Sequence, residues 1–287
     1  MPRAAVWSLY ALLVVVWSST WVSIKIGLED LPPLFGAGVR FALAGAVLLA
    51  GAALVRRSLR TDPVLVAIVA ILPFATAYGL IYWAEQHISS GLTAVLFGVL
   101  PLYTALIASV ALPDEPLRAR LLAGIGIAVA GLALAFNESL ELGDDRLAGL
   151  AAAAVVASPL ASAVGTVSIR RRGGALDALV LNGWAMLAAG VLLLAASAPG
   201  EDWGDAAWTV ESVGSIAYLA LIGTAFTFVG LTLLLREMTA VATSFISVLI
   251  PFGALAFGAA LENEVVTGTA ILGAALVAAG IAVAASG

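Results

Sequence analysis

The chain has 287 residues, of which 62% are hydrophobic and 11% charged, with a formal net charge of −5. Soluble domains carry about 25% charged residues, so this composition excludes an ordinary soluble enzyme or nucleic-acid binder. Cysteine is absent and His87 is the single histidine, which excludes disulfides, thiolate chemistry and a multi-histidine metal site, and no cofactor is implied.

The apolar residues fall into ten runs long enough to cross a bilayer, at 4–27, 32–55, 64–86, 91–112, 119–136, 147–169, 176–197, 213–234, 239–261 and 265–285. A spanning helix needs roughly 20 apolar residues. Backbone groups in lipid must be satisfied internally, so long runs without alternation are helices rather than barrel strands. The first run follows a start that resembles a signal peptide. Trp17, Trp21 and Lys25 stand where a small-residue cleavage site belongs, so it reads as a retained helix.

Ten arginines lie on one side of this arrangement: Arg3, Arg56, Arg57, Arg60, Arg118, Arg120, Arg170, Arg171, Arg172 and Arg236. The other side holds Arg146 among many acidic residues, including Glu29, Asp30, Glu138, Asp144, Glu201, Asp202, Glu262 and Glu264. Positive residues stay in the cytoplasm, so both termini are expected there.

The chain also repeats itself. A shift of 149 aligns Leu112 with Leu261, Glu115 with Glu264, Gly124 with Gly273 and Gly131 with Gly280. A shift of 150 aligns Thr93 with Thr243 and Pro101 with Pro251. The expected units are 1–142 and 143–287, each of five helices. Five is odd, so the second unit starts from the opposite side of the membrane. Inverted repeats are a signature of secondary transporters, because exchanging the roles of the halves yields the second state of alternating access.

These features resemble the drug/metabolite transporter superfamily, EamA type. The resemblance rests on the ten spans, the repeat, the carboxylate followed nine and sixteen residues later by glycine, the Trp17-Ser18-Ser19 step, Arg40 early in the second span, and Pro101. It covers the whole chain. It implies an all-α integral membrane protein of two inverted five-helix repeats in the bacterial cytoplasmic (inner) membrane. Within the family the chain is most similar to bacterial aromatic amino acid exporters of the YddG type. One departure stands out: where the first unit has Trp17, the second offers Ser158-Pro159 and Ser162.

Charge inside a membrane is costly and usually functional. Lys25 lies near the end of the first span, where it can snorkel to the interface. Arg40 lies about eight residues into the second, roughly 12 Å deep, where it either holds a substrate carboxylate or pins the bundle. No carboxylate or histidine falls mid-span, so transport down the substrate's own gradient or by exchange is expected, with Glu85, Glu115 and Glu264 as span-end exceptions.

The candidate substrate-binding residues are Trp17, Ser18, Thr20, Trp21, Tyr78, Tyr82, Ser158, Ser162, Thr227 and Ser244. Tyr78 and Tyr82 share one face of the third helix with Phe74. Trp17 and Tyr78 lie too deep for an interfacial belt; they line a cavity or pack in the core. Small hydroxyl residues also serve close helix approach. Pro101 and Pro251 are hinge candidates because proline frees a backbone carbonyl. The expected partners are a small-molecule substrate and the bilayer, with oligomeric state open. The expected function is export of neutral or aromatic amino acids. Export of another amphipathic metabolite or drug, a lipid-modifying enzyme and a channel are the alternatives.

Overall fold

A computed structural model describes residues 1–137, 146–261 and 267–285, with side chains left out at 257–261. Among these residues the regular structure is helical. The helices are numbered in chain order: α1 Arg3–Asp30, α2 Pro33–Leu54, α3 Pro63–Ala84, α4 Ser90–Ala111, α5 Ala119–Ala135, α6 Ala148–Arg172, α7 Ala178–Ser197 and α8 Val210–Glu237. The ninth, α9, runs Ala240–Ser244 and, past a break at Phe245, Ile246–Leu261; α10 is Gly268–Ala285. Eight of the ten reach the length and hydropathy of a membrane span, and α5 and α9 are shorter apolar helices.

Their starts follow from the sequence. Asp62, Ser89, Asp177, Thr209 and Thr239 each accept from a backbone N–H of the first turn, which satisfies donors that lipid cannot. Pro33 and Pro63 stand in first turns, where a missing N–H costs nothing. The first helix runs on to Asp30, three residues past the expected end, and α3 stops at Ala84, two residues short.

Two features were not legible in the apolar runs. The middle of α3 (Ala70–Ala77) and of α8 (Leu221–Phe226) is wound as π-helix. Pro73 lies in the first of these, where the missing N–H disrupts the ordinary ladder. The fourth helix is interrupted at Gly98 and Val99 and resumes at Leu100 with Pro101 in its first turn, whereas Pro251 lies inside the unbroken part of α9. The Pro101 region is therefore a visible discontinuity; the one in α9 falls at Phe245.

Two helix pairs flank the bundle, α2 along α7 and α5 along α10. Glycine lets both pairs close. A Cβ on Gly45 would stand 2.4 Å from Leu187 N, and one on Gly131 would stand 2.8 Å from Gly273 O. Lipid gives helices no hydrophobic drive to associate, so such backbone contact supplies it. The remaining six helices surround a central cavity. Outward faces carry exposed Val110, Val191 and Leu150, a surface matched to acyl chains. This is the architecture of an all-α membrane protein.

Candidate functional site

The central cavity is lined from α1, α3, α4, α6, α8 and α9 and has a free volume of about 90 Å³. That is below the roughly 150 Å³ of a cavity that accepts benzene, so a ring-bearing ligand requires the lining side chains to move apart. One wall is aromatic. Phe228 stands edge-on to Trp17 at 5.4 Å between centroids and to Tyr78 at 6.1 Å. The Trp17 indole N–H donates to the Gly223 carbonyl at 3.2 Å, inside the π segment of α8. That bond fixes the plane of the ring. Trp21 stands edge-on to Phe97 at 5.9 Å; its indole nitrogen is buried with no protein partner. A buried donor without an acceptor costs free energy, so a ligand carbonyl or carboxylate reaching it would be favoured.

The polar lining consists of hydroxyls: Thr20, Ser162, Thr166, Thr243, Ser244 and Ser247. Several are bonded along their own helices. Thr20 donates to Trp17 O at 2.8 Å and Ser244 to Val241 O at 2.7 Å. Each keeps lone pairs to accept from a ligand N–H. The cavity is thus mostly apolar with a few hydroxyls and the unpartnered Trp21 indole, the composition of a small-molecule site.

Of the sequence candidates, Trp17, Thr20, Trp21, Tyr78, Ser162 and Ser244 line this cavity. Ser18, Tyr82, Ser158 and Thr227 do not. Ser18 is buried and donates to Val14 O at 2.7 Å and Ile250 O at 2.9 Å, stitching α1 to α9. Ser158 donates to Val155 O and Thr227 to Gly223 O within their own helices. On α8, just past the π segment, Phe228 rather than Thr227 faces inward.

Tyr82 belongs to another group. Its hydroxyl accepts from Arg40 Nη1 at 3.2 Å, while Arg40 Nε donates to Thr224 Oγ1 at 2.7 Å. The guanidinium carbon lies 4.9 Å from the Tyr78 ring centroid, a cation–π contact. Arg40 is fully buried and does not line the cavity. It pins α2 to α3 and α8 from behind the Tyr78 ring. Lys25, a turn and a half from the end of α1, is an exposed residue and donates to the Glu85 carbonyl at 2.6 Å.

Phe228 is the main residue missed in the sequence. The 150-residue offset that aligns Thr93 with Thr243 also aligns Tyr78 with Phe228, and that was the signal available. Thr166 and Phe97 had no comparable signal. Glu264 lies outside the described residues.

At the arginine-rich end Glu115 draws α6 and α9 together. Its carboxylate accepts from Ala240 N at 2.8 Å, from Val241 N at 3.3 Å and from Arg170 Nε at 3.4 Å. Arg170 also donates to Asp114 and to the Leu235 carbonyl. The carboxylate thereby stabilises the positive N-terminal end of α9.

Comparison with known proteins agrees with this geometry. The profile of the EamA-like transporter family matches residues 5–137 and again 149–286. The transporter YoaV of Bacillus subtilis is 29% identical over 93% of this chain and 92% of its own. A Chlamydia trachomatis S-adenosylmethionine/S-adenosylhomocysteine transporter is 28% identical over 87% of this chain and 79% of its own. A probable terminal-alkyne amino-acid exporter of Streptantibioticus cattleyicolor is 28% identical over 96% and 92%. A solved structure superposes with a TM-score of 0.81 at 19% identity, covering 98% of this chain and 96% of that one. With apolar helices around a small-molecule cavity and the family profile spanning both halves, the chain is a multi-pass membrane transporter and belongs to the EamA-like transporter family.

Proposed function

We propose that this transporter exports neutral or aromatic amino acids across the bacterial inner membrane by alternating access, with both termini in the cytoplasm. The observation that carries the reading is the cavity wall of Trp17, Tyr78 and Phe228 facing hydroxyls of α6 and α9. The side chain of the substrate stacks on the rings. Its amino group donates to Ser162, Thr243 or Ser244, and its carboxylate accepts from the unpartnered Trp21 indole. The relative named as an amino-acid exporter supports this choice.

Alternating access follows from treating 1–142 and 143–287 as inverted copies. Three parallels support that treatment. Lys25 and Arg170 each donate to a backbone carbonyl near a helix end, Glu85 just past α3 and Leu235 in the last turn of α8, acceptors 150 positions apart. Thr93 and Thr243 donate alike to Ser89 O and Thr239 O. The π segments occupy matching stretches of α3 and α8. Pro101 and Pro251 are the proposed points at which the copies flex.

Purified protein in liposomes tests the reading by counterflow of a labelled amino acid panel. Exchange of phenylalanine, tryptophan or leucine is expected. Exchange of S-adenosylmethionine with none of the amino acids would move the substrate class to a nucleoside metabolite, as the chlamydial relative's name describes for that protein.

A further inference from the structure

Glu85 is the one acidic residue in the described part of the chain with no exposed surface at all. It is the first residue past α3, at the acidic end of the bundle, where a water-facing side chain is the ordinary expectation. Its backbone carbonyl is taken by Lys25. Neither oxygen of its carboxyl group has a hydrogen-bond partner. Its neighbours Ala84 and Ile88 belong to an apolar cluster with Leu92, Ala148 and Ala151.

The groups whose charge or polarity faces it come from three helices and its own turn. Lys25 on α1 and Arg40 on α2 act on it through their positive charge, Ser90 at the start of α4 lies beside it, and the Tyr82 hydroxyl on α3 is within electrostatic reach. The Ser90 hydroxyl is itself directed to the Trp21 carbonyl at 3.4 Å. A carboxylate buried without a donor is expensive, and the matching position on α8 avoids the problem by being Leu235. The second half therefore keeps the cation-to-carbonyl bond with an apolar residue supplying the carbonyl, and its cation Arg170 pairs with Asp114 and Glu115 instead.

We infer that Glu85 is a proton-binding site through which this exporter exchanges protons for substrate, an inference that rests on the reading of the chain as an exporter. In this state a proton forms the O–H bond on a Glu85 carboxyl oxygen. In the opposite state that bond breaks and the proton passes to water on the other side, leaving the carboxylate beside the Lys25 ammonium. Lys25 joins the backbone of Glu85 to α1, which carries Trp17, Thr20 and Trp21 into the cavity, and its charge acts on the nearby carboxyl group. A change in their pairing thus bears on the helix that holds substrate. A proton fits this site where a substrate ammonium does not, because Glu85 has no exposed surface and does not line the cavity. This departs from the downhill transport that the absence of a mid-span acid suggested.

The test uses proteoliposomes with membrane potential clamped and labelled L-phenylalanine as probe, alongside infrared titration of the protein without any substrate. With one-for-one exchange, a gradient of one pH unit drives accumulation about tenfold on the acidic side. Wild type is expected to accumulate the probe and to show a protonated-acid carbonyl band that titrates. Glu85→Gln is expected to keep counterflow, lose the accumulation and lose the band; Glu85→Leu, which copies the second half, is the check should Gln misfold. Accumulation that survives in the variants overturns the inference, as does counterflow indifferent to the pH gradient in wild type. Counterflow lost in folded Glu85→Gln overturns it in favour of an ammonium-binding acid. If no amino acid is carried, the amino acid reading fails by itself. The infrared band then decides: its presence and loss in Glu85→Gln support the proton site, and its absence overturns it.

Discussion

The Trp17 indole N–H meets the Gly223 carbonyl at 3.2 Å, joining the most conspicuous aromatic residue of α1 to the π-wound segment of α8. The same carbonyl accepts from the Thr227 hydroxyl at 2.8 Å, so it is shared between α1 and its own helix. A ring held at its nitrogen and braced by Phe228 is a rigid wall, and a rigid wall binds without losing rotamer freedom.

Trp17→Ala and Tyr78→Ala should each reduce transport while leaving folded protein in the membrane. An aromatic contact is worth about 0.5–1.5 kcal/mol beyond its area, which is a severalfold to about tenfold change in apparent affinity. Trp17→Phe should recover most of the stacking but not the bond to Gly223. Concentration-dependent counterflow measures all three, and unchanged kinetics in both alanine variants would assign the rings to packing.

Arg40→Met should lower thermal stability with little change in substrate preference. The variant strands the Thr224 and Tyr82 hydroxyls that Arg40 bonds, and a buried polar group left unmatched costs about 1–3 kcal/mol. Melting in detergent, followed with and without substrate, separates the outcomes. Intact melting with lost binding would show that Arg40 holds the ligand.

Gly131→Ala should destabilise the α5–α10 pair, whereas Gly126→Ala should be neutral or slightly stabilising. The added Cβ at 131 would stand 2.7 Å from Leu276 Cβ, but at 126 it would meet nothing within 4 Å. Alanine in an open helix position gains up to about 1 kcal/mol of helix propensity. Thermal melting of the pair of variants compares the same chemistry at two places one turn and a half apart.

The arginine asymmetry predicts the sidedness. The chain contains no cysteine, so single introduced thiols report cleanly. Gly200→Cys, in the exposed α7–α8 connection, should label from outside on intact cells. Ser58→Cys, in the exposed α2–α3 connection, should label only after lysis. The reverse pattern would place both termini outside.

Glu115→Gln should weaken closure at the arginine-rich end. The amide keeps an oxygen for Ala240 or Val241 but loses the ionic contact with Arg170. Charge-assisted hydrogen bonds are about twice as strong as neutral ones, so introduced thiols near Tyr10 and Ala242 should react faster with a cytoplasmic-side reagent than in the parent. An unchanged labelling rate would remove Glu115 from the closure.

Much of this protein is determined by its sequence alone. Apolar run length requires spanning helices, because a hydrocarbon layer tolerates no unpaired backbone. Caps such as Asp62 and Thr209 fix where α3 and α8 begin. Glycines at matched intervals make the close α5–α10 pair possible. What only the tertiary structure decided is which residues of those helices face the cavity. In lipid, the outward, packed and cavity faces are all apolar, so hydropathy does not separate them. Ser18 and Ser162 look alike in sequence, yet one stitches α1 to α9 and the other lines the cavity. The π segment of α8 departs from the ideal 3.6-residue period just before Thr227, and it is Phe228 rather than Thr227 that stands at the wall. Glu85 shows the same division. Its place at a helix end is written in the chain, but its complete burial comes from the packing of α1, α2, α4 and α6 around it.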